Sequence, residues 1–60
     1  MNCRQGTLVW VSTTMKDGMG DLGYSPLQTR GEYDLYLIRW DEVRTIIAIL
    51  VEMRVGYFSA

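Results

Sequence analysis

Sixty residues make room for one small domain over 1–60, and six Lys and Arg against seven Asp and Glu leave a net charge of −1. With no His and a single Cys, the composition excludes a disulfide scaffold, a zinc finger and a polybasic nucleic-acid tail, and an apolar share of 48% excludes a disordered chain. A domain this small folds with a thin margin and Cys3 has no partner for an internal disulfide, so association with a second copy or another protein is the expected source of extra stability.

Gly6 suits a turn or tight entry, and residues 7–14 that follow read Thr-Leu-Val-Trp-Val-Ser-Thr-Thr. Five of those eight are β-branched, which predicts a strand. Residues 15–32 hold four Gly and one Pro, and the expectation there is a long Gly-rich loop pinned by Leu22, Tyr24 and Leu27. Residues 33–40 form the strongest predicted strand. Tyr36, Ile38 and Trp40 share one face and Tyr33, Leu35 and Leu37 the other, a doubly apolar pattern that points to a central position in a sheet.

Residues 41–58 fit two periods. As a helix, Asp41 is the N-cap, Glu42 lies in the first turn, Val43, Ile46, Ile47, Leu50, Met53 and Tyr57 form the stripe, and Gly56 ends it. As a strand, every odd position from Val43 to Tyr57 is apolar or Thr, and Ile46, Ala48 and Leu50 line the opposite face. A helix would leave Arg44, Ala48, Val51 and Val55 outward, a poor solvent face, and the many β-branched residues disfavour it. The strand reading is therefore preferred, with Asp41-Glu42 at a hairpin tip and a bend near Glu52. The expected fold class is all-β. The alternative is α+β, with two or three antiparallel strands and a C-terminal helix over 41–55.

Catalytic and metal chemistry find little support. Gly18-x-Gly20-x-x-Gly23 matches a phosphate-cradling spacing, but Ser25-Pro26 stops a following helix and Asp17 and Asp21 would repel phosphate. An EF-hand reading from Asp17 puts Met19 and Gln28 at ligand positions. Ser12, Ser25, Ser59 and Cys3 have no His to activate them, and Asp41 with Glu42 reads as a solvated tip. The expectations are no enzyme activity, no cofactor and no metal.

The strand reading gives the Ile-rich segment 46–51 two apolar faces, of which so small a body can cover one. The expected function is a protein-interaction module, an accessory or inhibitory subunit that binds a protein partner or a second copy. Its expected contact residues are Trp10, Tyr24, Tyr36, Trp40, Ile46, Leu50, Arg39 and Arg44. A nucleic-acid binder using Arg39 and Arg44 across the hairpin is the second reading, disfavoured by a pI near 5.0. Self-assembly through a long strand edge at 43–55 is the third. The apolar run Leu8–Val11 is too short for a signal-peptide core and Ile46–Val51 too short to span a bilayer, so no membrane partner and a cytoplasmic location are expected.

Gly6-Thr7-Leu8-Val9-Trp10-Val11 resembles the opening strand of small SH3-like barrels of the Tudor, PWWP and KOW type. Tyr36-Leu37-Ile38-Arg39-Trp40-Asp41 resembles the strand before their hairpin turn. The resemblance covers about half of the chain. It implies a five-stranded barrel that binds peptides or nucleic acid. By analogy with Tudor-like members it also implies an aromatic cage for methylated side chains, for which Trp10, Tyr33, Tyr36 and Trp40 are the residue types available.

Overall fold

The computed structural model describes residues 5–60, and Cys3 lies outside them. Strand β1 (Gly6–Ser12) leads through a single 3-10 turn (Thr13–Met15) into a short helix α1 (Lys16–Asp21). Strands β2 (Gln28–Arg30) and β3 (Tyr33–Arg39), helix α2 (Trp40–Glu52) and strand β4 (Tyr57–Ser59) follow. The succession β-α-β-β-α-β is that of a split β-α-β unit. All strand pairs are antiparallel and the sheet order is β2-β3-β1-β4. The sheet stays open rather than closing into a barrel, so the fold is α+β, and the all-β five-stranded expectation gives way to its alternative, with a fourth strand and the short helix α1 beyond what that alternative held.

The central pair sets the layers. β1 and β3 align Thr7 with Ile38, Val9 with Tyr36 and Val11 with Asp34, and side chains directly opposite share a face. Val9, Val11, Tyr36 and Ile38 on that inner face are buried with Met15, Met19 and Tyr24 from the first connection and Ile46 and Leu50 from α2. Gly6 enters β1 against the end of β3, where a Cβ would stand 2.1 Å from the Ile38 carbonyl oxygen.

Residues 41–52 are helical, which overturns the extended reading of the C-terminal third and removes both the hairpin tip at Asp41-Glu42 and the long strand edge at 43–55. Val43, Ile46, Ile47 and Leu50 follow the helical spacing of one apolar stripe, and Ile46 and Leu50 reach the sheet and are buried. Two acids, Asp41 and Glu42, occupy the first turn, where the helix dipole favours negative charge. The N-cap is Arg39, not Asp41, with extended backbone and no side-chain cap bond. The helix ends at Glu52, ahead of Gly56. Arg54 takes the left-handed conformation (φ 58°), and the Val55 amide donates to the Leu50 carbonyl at 2.9 Å.

The expected loop 15–32 also carries structure. α1 includes two glycines, Gly18 and Gly20, the poorest helix formers after proline, and Met15 and Met19 compensate by burying one face in the core. The three glycines of the phosphate-like spacing are therefore spent on this helix and on the turn after it, where Gly23 has φ 93°. The loop between Arg30 and Tyr33 holds two residues, Gly31 and Glu32, with Gly31 at φ 60° in the first position, as type II′ hairpins require.

One charged group lies in the core. Asp34 is 1% exposed and accepts a 2.6 Å hydrogen bond from the Thr29 hydroxyl of the neighbouring strand. Its second oxygen, Oδ2, makes no well-formed hydrogen bond, and neither does the nearby Tyr36 hydroxyl two residues on along the same face. An Asn at this position would keep the acceptor for Thr29 and bring an NH₂ donor to the orphaned side. Asp34→Asn is expected to stabilise the fold by about 1 kcal/mol, read as a raised thermal midpoint. Gly6→Ala is expected to cost about 1–3 kcal/mol by forcing the β1–β3 backbones apart, with a lowered urea midpoint as the check. Arg54→Gly relieves the left-handed strain and is expected to gain roughly 1 kcal/mol in the same assay.

Candidate interaction surface

Helices α1 and α2 pack on the same side of the sheet, with the buried cluster between them and the strands. Among the described residues, no element covers the other side. That outer face presents Leu8 and Trp10 from β1, Tyr33, Leu35 and Leu37 from β3, and Phe58 from β4, which alternation puts opposite to the buried set. Leu37 is 39% and Phe58 49% exposed. The aromatic residues meet at one end. The rings of Trp10 and Phe58 stack at 6.4 Å between centroids, and Tyr33 meets Phe58 edge-on at 5.1 Å across the small Ser12. With Arg30 they line a shallow depression of about 330 Å³.

A second uncovered region runs along the outward side of α2. Trp40, 55% exposed, lines a groove of about 570 Å³ with Val43, Arg44, Ile47 and Ala48. One turn further on, Val51 is 58% exposed. The poor solvent face that weighed against a helix is thus a real feature of the helix.

The eight expected contact residues do not form one surface. Trp10 lies on the outer sheet face, and Trp40 and Arg44 lie on α2. Tyr24, Tyr36, Ile46 and Leu50 are core residues, because each points into the space between helix and sheet where a strand reading had turned two of them outward. With 41–52 helical, no hairpin brings Arg39 and Arg44 across from one another. Arg39 instead pairs with Glu42 at 2.7 Å and lies over the Tyr24 ring, 4.8 Å from its centroid. Of the aromatic cage residues, Trp10 and Tyr33 are on the outer face, Tyr36 is in the core and Trp40 is on α2. Leu8, Leu35, Leu37, Phe58 and Arg30 were not among the expected contacts. Tyr33, Leu35 and Leu37 had been grouped on one face, and the missing information was which face the helix takes.

Tyr24 ties the end of β3 to the first turn of α2. Its hydroxyl donates to Glu42 and accepts from the Arg39 backbone amide at 3.2 Å. Burial, and then the bond to Glu42, push this phenol above its ordinary value of 10.0, against the opposing pull of Arg39. Burial followed by the nearby Asp34 does the same to Tyr36. Among the described residues no three His, Cys, Asp or Glu side chains gather to hold a metal ion, and no helix is long and apolar enough to cross a membrane.

A scan against protein-family models finds no match, and searches of curated proteins and of solved structures find none. The geometry therefore defines the class by itself: a two-layer α+β sandwich with one sheet face bare among the described residues.

A phenol whose folded pKa is raised holds its proton more tightly when folded. The stability contributed by Tyr24 and Tyr36 is full below pH 10 and is lost as pH rises through their folded values. Alkaline titration followed by circular dichroism is expected to show unfolding that begins above about pH 10. Tyr24→Phe is expected to cost about 1–3 kcal/mol at neutral pH and to reduce the alkaline loss.

Proposed function

We propose that this chain is a non-enzymatic protein-interaction module and that the outer sheet face is its binding surface. The observation that carries this reading is the grouping of three leucines and three aromatic rings on one sheet face that no described element covers. Exposed apolar patches of this kind mark contacts with other proteins, and Trp, Tyr and Phe are favoured anchors at such contacts. Among the described residues of this face the charges are Arg30 and, at the end of β3, Arg39, which pairs with Glu42. The chain's net charge of −1 supports a protein over a polyanion as the partner.

A second reading has its own support: Trp10, Tyr33 and Phe58 beside Arg30 supply stacking rings and a cation, the ingredients of a single-stranded nucleic-acid platform. The leucine half of the face weighs against it, since bases stack on rings and not on branched aliphatics.

Immobilised wild-type chain, a Leu37→Lys variant and a Val51→Lys variant separate these readings in lysate before and after nuclease treatment. The expected result is protein capture by wild type and Val51→Lys, lost with Leu37→Lys. Capture that disappears after nuclease treatment favours the nucleic-acid reading, and capture that ignores Leu37→Lys removes the sheet face as the site.

A further inference from the structure

We propose that the occupant of the outer face is a second copy of this chain, so that two protomers stack sheet against sheet into a four-layer dimer with helices outside. This rests on the reading of that face as a protein-binding surface and names its partner.

Charge is the first argument. A face built for a different protein is expected to carry charges that complement it and reject others. Among the described residues this face carries Arg30 on the edge strand β2 and Arg39 at the end of β3, whose guanidinium is held by Glu42 and the Tyr24 ring, so two copies meet without like charges in the middle and both cations stay at its edges. A face that is apolar in the middle and charged only at its edges is complementary to itself, which is what a twofold contact demands.

Size is the second argument. Two central strands of seven residues and two edge strands of three, spaced about 4.8 Å apart and rising about 3.4 Å per residue, make a face of roughly 350 Å² in projection. Over both copies stacking covers about 700 Å² in projection before the relief of the side chains is counted, which puts the contact at the small end of specific interfaces. The dimer is therefore expected to form and dissociate with concentration.

Shape is the third argument. Stacked sheets pack about 10 Å apart with interdigitated side chains, which fits Trp10, Leu37 and Phe58 standing from three different strands. Pairing through the sheet edges is poorer, because both edge strands are only three residues long.

The test is sedimentation equilibrium of the intact chain from about 1 μM to several hundred μM, the range of a modest interface. The expected mass rises from 6.9 kDa toward twice that value. Leu37→Glu, and independently Phe58→Glu on another strand, are expected to move the midpoint at least about tenfold higher in concentration while circular dichroism stays that of the folded chain. Val51→Glu on the helix side is expected to leave it in place. In a Trp40→Phe background, Trp10 emission is expected to shift to the blue as the dimer forms. A monomer at every concentration, or association abolished by Val51→Glu and indifferent to both sheet variants, overturns the proposal. A monomer that still captures another protein through Leu37 loses the second copy and keeps the binding face. A monomer without Leu37-dependent capture loses both.

Discussion

Contact between α2 and the inner face of the β1–β3 pair is the interaction on which the remaining structure depends. Ile46 and Leu50 are the helix residues that vanish from solvent, and they do so against Val9, Val11, Tyr36 and Ile38. A chain of 60 residues supplies one layer of helix, and one layer covers one side of a sheet. Once α2 takes the side with Tyr36, the side with Tyr33, Leu35 and Leu37 is left bare. The apolar outer face follows from a strand that is greasy on both sides in a protein with helices for only one of them.

The polar groups fix where that helix sits. β3 runs into α2 with no intervening loop, so the direction of the helix is set within a residue or two of Arg39. Tyr24 brackets this corner through Glu42 and the Arg39 amide, and Arg39 closes it from the other side. The exposed Arg39–Glu42 pair alone is worth little in water, whereas the buried phenol holding both ends of the corner resists rotation of α2 over the sheet.

The sequence disclosed the two long strands because alternation in β1 and β3 is strong, and the apolar character of both sides of 33–39 matched a central place in the sheet. It misled over 41–52 because Val43, Ile46, Ile47 and Leu50 satisfy a helical stripe while the same stretch also alternates. Helix and strand differ there only in whether Ala48 and Val51 are tolerated in the open, and that is decided by packing and not by local preference. The short elements were hidden for a related reason. Gly18 and Gly20 disguise α1, whose stability comes from Met15 and Met19 docking into a core that only the finished fold provides. The bare sheet face is half legible, since Trp10 stands among the expected contacts and Tyr33, Leu35 and Leu37 share one face in the alternation, while Tyr24, Tyr36, Ile46 and Leu50, also expected as contacts, belong to the core.

The position of β1 has a kinetic consequence. The first strand in the chain is held on one side by β3 and on the other by β4, whose Phe58 lies opposite Trp10, so its backbone is secured by segments far along the sequence. Such distant closures are slow to find, and they leave little that opens alone. Amide protons near Val9 to Val11 then exchange with solvent only when the whole domain comes apart, while those of the edge strand β2 escape by local fraying.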